Sequence, residues 1–299
     1  MKLTVQILVL STIGCSSPVT TQLAGDVLLT PDSNARRQVW MFTDSGSGFV
    51  AHENPIARDM SSLGLGVVDG EIWLTGLCWW PGCGSNAEME IRQREGPLLF
   101  GIGTRDLSEW RALQWRLKGA GDLTPIDPEI RQTDDGIVLW YYGVPGQQHN
   151  DPMNRTNHEI HTANLQGENF VSNGLLLRGH GLGDPAPITY KGEQLLFATT
   201  EAAQTSGVFT GQQPREVSKL EGVSVPFAFE VNGALWLLAS KIINGHPTPV
   251  RATSNDGRNF SQWEEFLPTG NMEGCSSPVG AVVGETIAVF CVNEPTLPG

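Results

Sequence analysis

Five stretches decide the reading: VVDGEIWLTGLCW (67–79), DPEIRQTDDGIVLWYYG (127–143), DPAPITYKGEQLLFATT (184–200), VPFAFEVNGALWLLAS (225–240) and SPVGAVVGETIAVFC (277–291). In each, a β-rich run ends at a glycine turn and an unusually apolar strand follows. The turn glycines Gly70, Gly136, Gly192, Gly233 and Gly284 stand 66, 56, 41 and 51 residues apart, a spacing that suits units of about four strands with variable loops. The runs from Ile137 to Tyr142 and from Ala234 to Ala239 do not alternate, so these strands are expected to be covered on both faces. Radially packed sheets supply that environment.

Working outward, a second element recurs after the apolar strand: a short strand, a polar turn, then an aromatic. It is seen in GTRDLSEW (103–110), HTANLQGENF (161–170) and ATSNDGRNF (252–260), and again as FTDSGSGF (42–49). The aromatics Trp110, Phe170 and Phe260, with Trp140 and Trp236, read as core. The copy at 42–49 has no partner strands before it, and the unit at 277–291 has none after it, so the two halves can complete one unit. The expectation is an all-β chain forming a five-bladed β-propeller, its ring closed by N-terminal strands that complete the C-terminal blade. Closure hides strand edges that would otherwise invite aggregation. A pair of β-sandwiches or a β-helix gives no reason for the split repeat.

Composition agrees. Among 299 residues, 35 Gly and 19 Pro against 17% charged suit many short strands and tight turns. A net charge of −13 repels phosphate backbones, which argues against nucleic acid and for a neutral or cationic ligand; it also serves solubility alone. Lys2, the apolar run from Leu3 to Ile13, and Thr12-Ile13-Gly14-Cys15 resemble a bacterial lipoprotein signal. The expected divisions are therefore a signal peptide at 1–14, a tether lipidated at Cys15 over 15–24, and one propeller over 25–299; a plain signal peptide is the other reading. Ser16 after the lipidated position resembles outer-membrane sorting signals, and membrane contact is expected through the lipid only. The remaining cysteines read as two disulfides in an oxidising compartment. Three pairings are open, and sequence proximity favours Cys78 with Cys83 and Cys275 with Cys291. The spacings lack the paired elements of a zinc site.

The strings IDPEIRQTDDGIVLWYYG (126–143) and TRDLSEW (104–110) resemble the blade motifs of family 43 glycoside hydrolases, the arabinofuranosidases, xylosidases and arabinanases, and their fructosidase relatives. DPAPITYKG (184–192) and SNDGRNF (254–260) echo the pattern more weakly, and the latter also resembles the Asp-box of sialidases. The resemblance implies three carboxylates at an axial funnel: a base from the first blade, an Asp that tunes the acid, and a Glu that protonates the leaving oxygen. Such chemistry needs carboxyl groups spread across a glycosidic bond, one with its pKa raised.

Carried over residue by residue, Asp127 takes the place of the second Asp. The place of the first-blade base holds Ser62, with Asp59 three residues earlier. The acid's Glu-Gly-Pro is replaced by Gly183-Asp184-Pro185, which leaves Asp184, Glu201 and Glu221 as candidate acids. An Asp before Pro also serves simply as a turn acceptor, and Glu129 reads equally as a satisfied structural carboxylate. Trp79 and Trp80 offer flat faces to a sugar, or pack on their own blade. His149, His158 and His161 lie in or beside the loop PGQQHNDPMNRTNHEIH (145–161); His149 is a candidate substrate contact, and no spacing supports a metal there. No cofactor is required, while the resemblance allows a channel cation such as calcium. The chain is thus expected to be a carbohydrate-active, glycosidase-like lipoprotein and a monomer. Its alternatives are a non-catalytic glycan-binding propeller or an envelope protein-interaction platform.

Overall fold

The computed structural model describes residues 37–78, 95–121, 123, 125–143, 158–200, 205–211, 213–268 and 274–293. Every named element among them is a β-strand. β1 (Gln38–Asp44), β2 (Val50–Ala51) and β3 (Ala57–Arg58) precede four meanders. These are β4 (Met60–Val68), β5 (Glu71–Cys78), β6 (Leu98–Thr104) and β7 (Arg111–Lys118); β8 (Ile126–Thr133), β9 (Gly136–Gly143), β10 (His158–Gln166) and β11 (Asn169–Gly179); β12 (Gly183–Tyr190), β13 (Glu193–Thr199), β14 (Thr205–Thr210) and β15 (Arg215–Glu221); and β16 (Ser224–Val231), β17 (Ala234–Ile243), β18 (His246–Ser254) and β19 (Glu264–Glu265). β20 (Cys275–Val283) and β21 (Thr286–Asn293) end the series.

The first two meanders share one eight-stranded sheet, joined where β7 and β11 run parallel for three residue pairs. The next two are separate four-stranded sheets, and the last sheet runs β2-β1-β21-β20. In it β1 pairs antiparallel with β21 from Gln38 opposite Asn293 to Asp44 opposite Ile287, so the N-terminal copy of the repeat does join the C-terminal hairpin. The first strands pack in a cycle: β4 on β8, β8 on β12, β12 on β16, β16 on β20, and β20 back on β4.

All five quoted stretches are hairpins; four of their glycines sit in the turn, and Gly136 opens β9 directly after it. Gly233 (φ 81°) and Gly192 (φ 80°) sit in the left-handed region, where no other residue is as cheap. The aromatics of the second recurrent element fill gaps between sheets, as their core reading requires. Trp110 meets Phe290 and Phe170 meets Trp115, both with ring centroids 5.8 Å apart. Phe260 meets Phe197 at 5.8 Å and Phe49 meets Phe266 at 5.3 Å. In each case the ring reaches back to the preceding meander. The turns that present them are held by Asp44, Asp106 and Asp256, whose Oδ1 atoms each accept two backbone N–H groups. That assigns the aspartate of SNDGRNF to the turn.

One irregularity repeats at the start of every axial strand. The ladder breaks between Ser61 and Gly64, Ile126 and Glu129, Gly183 and Ala186, Ser224 and Phe227, and Ser276 and Val279. In each break one non-glycine residue has positive φ: Ser62 (51°), Asp127 (47°), Asp184 (49°), Val225 (52°) and Ser277 (50°). Proline follows in four of the five, where no ladder donor is needed, and Leu63 in the first. Such a backbone costs about 1–2 kcal/mol per residue and persists only where the surroundings hold it. Neighbouring meanders do the holding. The Val225 N–H donates to Thr199 Oγ1 (3.0 Å), the Ser277 N–H to Ser240 Oγ (3.2 Å), and Thr75 Oγ1 donates to the Pro128 carbonyl (2.6 Å).

Cys275 and Cys291 form the expected disulfide between β20 and β21, with Cα atoms 5.6 Å apart. The expected pairing of Cys78 with Cys83 lies outside the described side chains, as do the signal and tether with Cys15. Between β4 and β8 the backbones meet so closely that a Cβ on Gly64 would stand 1.9 Å from the Pro128 carbonyl oxygen. Gly64→Ala is therefore expected to destabilise the fold by at least about 1–3 kcal/mol, the usual cost of overpacking. Denaturant unfolding of the two proteins measures it, and a variant as stable as wild type would contradict this packing.

Candidate functional site

The repeated bulge sets the site. It interrupts each axial strand at the same end of the ring, and at two consecutive positions the bulged residue is an aspartate. Asp127 and Asp184 lie 57 residues apart in sequence, yet the Asp184 and Ser62 side chains stand near enough to Asp127 to act on its carboxyl. Thr199 Oγ1, at the end of β13, donates to Asp184 Oδ2 at 2.5 Å, and that same hydroxyl receives the Val225 N–H. Asp127 is only 7% exposed, and its Oδ1 has no partner among the described residues. Asp184 is half-buried and faces solvent more than its partner does.

Burial, and then the neighbouring Asp184 charge and hydrogen bond, push the Asp127 carboxyl well above the usual carboxylate range; the Ser62 side chain and the Asp184 N–H oppose the shift only in part. Burial and a like-charged neighbour both favour the protonated form of the Asp127 carboxyl.

Two residues beyond Asp127 on β8 lies Glu129, and beyond it Arg131. Glu129 Oε2 accepts the Leu65 N–H (2.9 Å), while Oε1 lies 2.7 Å from Arg131 Nη2. Burial pushes the Glu129 carboxyl up to about 8, against the pull of Arg131 and the Leu65 N–H. Arg131 donates from Nε to the Pro187 carbonyl (2.8 Å), from Nη1 to Leu65 (2.8 Å) and from Nη2 to Ala228 (3.0 Å). The bland reading of Glu129, a satisfied structural carboxylate, fits this geometry. A channel cation does not fit at this depth, because the carbonyls that would hold it already bind a guanidinium whose charge would repel it.

The other candidates separate. Glu221 is the last residue of β15, the outermost strand of its meander, and is exposed; it belongs to the rim and does not join the pair. Asp59 sits at the bend before β4 with φ 51°, its N–H on the Arg37 carbonyl at 2.8 Å. The groups that act on Asp127 are Asp184 and Ser62, and Asp59 is not among them. Glu201, Trp79, Trp80 and His149 lie outside the described residues. His161 pairs through Nε2 with Glu159 (2.9 Å), which also receives Arg178 Nε (2.8 Å), and His158 Nδ1 contacts the Leu182 carbonyl (2.8 Å). Among the described residues no group of three His, Cys, Asp or Glu side chains is arranged to hold a metal. Thr199 escaped the sequence reading because nothing in LLFATT marks one threonine over another. Arg131 gave a usable sign, a charge inside an otherwise buried strand.

No family model matches the sequence, and no curated protein does. Solved structures do share its fold. An exo-β-1,3-galactanase from Phanerochaete chrysosporium, solved with β-1,3-galactotriose, aligns at TM-score 0.54 and 10% identity, covering 78% of this chain and 60% of that one. The chain thus spans about 60% of the length of that enzyme. An α-L-arabinofuranosidase from Clostridium thermocellum aligns at TM-score 0.55 and 12% identity, covering 76% and 80%. A family 43 β-1,3-galactosidase solved with galactodeoxynojirimycin aligns at TM-score 0.52 and 11% identity, covering 79% and 90%. At such identities the likeness is one of fold: the chain folds as a β-propeller, as these enzymes do.

The pair makes stability depend on pH with a definite sign. Asp127 has a folded-state pKa above its unfolded value, so the native protein keeps a proton that the unfolded chain releases. Its contribution is full below the unfolded value, near pH 4, and is lost as pH rises through the folded one. Asp127→Asn removes this loss, so its melting temperature relative to wild type should climb as pH rises above about 4. A difference that stays flat as pH rises would contradict a raised Asp127 carboxyl.

Proposed function

We propose that the chain is a five-bladed, glycosidase-like propeller that binds a neutral saccharide at the carboxyl end of its axis without hydrolysing it. The supporting observation is Ser62 at the bulged position of the first meander, where the resembling enzymes carry a carboxylate, beside the neighbouring Asp127 and Asp184. Hydrolysis needs a second carboxyl group across the bond from the acid, about 5–5.5 Å away to form a covalent intermediate or about 6.5–9.5 Å away to activate water. A serine hydroxyl cannot activate water as that carboxylate does.

The same groups suit binding. The half-buried Asp184 carboxyl, held by Thr199 Oγ1, offers acceptor oxygens to sugar hydroxyls, while burial favours the protonated form of the neighbouring Asp127. The cyclic packing of the five axial strands supports the blade count. The solved structures sharing the fold include one holding galactotriose and one holding a galactose-like iminosugar, which makes galactosides and arabinosides the first ligands to try.

The test pairs a glycan array with hydrolysis assays on aryl galactosides, arabinofuranosides, xylosides and fructosides. Binding should occur without turnover and should weaken about tenfold or more in Asp184→Asn, as expected for loss of a charge-assisted hydrogen bond. Turnover by wild type that disappears in Asp127→Asn would make the chain an enzyme and overturn this reading. The protein is further proposed to be an exported monomer, lipid-anchored at Cys15 in the outer membrane. In the bacterial host, palmitate labelling should be lost in Cys15→Ala; labelling that persists would exclude the anchor.

A further inference from the structure

The ring has a concavity away from the carboxyl pair. Asp127 and Asp184 open their strands β8 and β12, whereas this cleft is lined by Thr133 and Thr189 at the far ends of the same strands. It measures about 520 Å³, within the range of small-molecule sites.

Its position follows from a break in the aromatic repeat. In the last sheet Phe290 lies opposite Val279, two residues past the bulge; in the third meander Phe197 lies opposite Ala186, again two past the bulge. By the same register the second meander places Trp140 opposite Glu129. On Phe290 stands Trp110 from the following meander, edge-on at 87°, and on Phe197 stands Phe260, edge-on at 80°. The turn that should bring a ring to Trp140 reads TGQQPR (210–215) and contains no aromatic. The cleft lies against Trp140 instead, with Gly211 and Pro214 of that turn in its lining.

From this we infer that the junction between the second and third meanders binds a small flat aromatic molecule, neutral or cationic, in the place that an internal side chain fills at the other junctions. Leu176, Leu196 and Phe229 supply apolar walls, and Gln194 and Thr162 supply polar groups. Charge narrows the class. The Arg131 guanidinium in the lining already faces Glu129 at 2.7 Å and is saturated by three carbonyls. Glu230 is exposed, and the chain carries a net −13, so an anionic ring is disfavoured.

The experiment titrates the intact protein with benzyl alcohol, benzylamine and benzoate, followed by saturation-transfer NMR. The alcohol and the amine should bind with dissociation constants on the order of 1 mM, as expected for about eight heavy atoms, and benzoate at least about tenfold more weakly. Pro214→Trp offers the missing ring from within; it should weaken probe binding at least about tenfold and raise the melting temperature, as a filled cavity does. Trp140→Ala should lose binding while remaining folded by circular dichroism; if it does not fold, Pro214→Trp alone decides. Asp184→Asn should leave probe binding unchanged, which separates this site from the saccharide site. Failure of all three probes on wild type, or undiminished binding to Pro214→Trp, would overturn the inference.

Discussion

The structure depends most on one buried ion pair at its axis. Arg131 sits on the second meander, yet its guanidinium bonds carbonyls of the first, third and fourth, through Leu65, Pro187 and Ala228, while Glu129 takes the Leu65 N–H and lies 2.7 Å from the guanidinium. Desolvating these groups is costly, and such a pair adds little over an apolar core of equal volume. What it provides is specificity. Axial strands that meet with their backbones have carbonyls facing one another, and five guanidinium donors in a rigid fork can satisfy several at once without a metal. The Phe227 ring, 4.8 Å from the guanidinium, covers it further.

The bulges follow from the same crowding. Axial strands that converge on one line must bend away from it at one end, and a bulge bends a strand while turning its extra residue out of the ladder. Hydroxyls from neighbouring meanders, on Thr199 and Ser240, hold two of the strained positions. The residue at this position is free to vary, and the chain carries Ser62, Asp127, Asp184, Val225 and Ser277 there. The candidate site is thus a chemical variation laid on a structural repeat. Its acids meet because they occupy adjacent copies of one position.

The hairpins could be read from the sequence because two independent signals coincide in each: a turn glycine and a strand too apolar to have a wet face. Closure of the ring could be read because the repeat is split between residues 42–49 and 277–291. The contact between Asp127 and Asp184 could not, since it depends on how closely two sheets approach, which no local pattern encodes. Glu221 was misplaced for a related reason. It stands three residues before the axial strand β16 in sequence, but it ends the outermost strand of the preceding sheet, so nearness along the chain does not carry across the width of a blade. Asp59 shows the same limit: it lies three residues before the bulged Ser62, and Ser62 is the residue that acts on Asp127.

The ring is not evenly closed, and the unevenness falls where the chemistry is. Between the first and second meanders the junction is sealed at both radii, by Gly64 and Gly66 against the β8 backbone at the axis and by the parallel pairing of β7 with β11 at the rim. Between the second and third there is no strand pairing at the rim and no aromatic from the β14–β15 turn. Side chains take over that work: the Asp127–Asp184 contact at one end, the Arg131 bond to Pro187 in the middle, and Trp140 facing an open cleft at the other. A backbone seal would bury the polar groups of β8 and β12 against each other and leave no acid free to meet a ligand. With side chains closing this junction, Asp127 is buried while Asp184 stays half-buried, and that leaves one of the two acids within reach of a ligand.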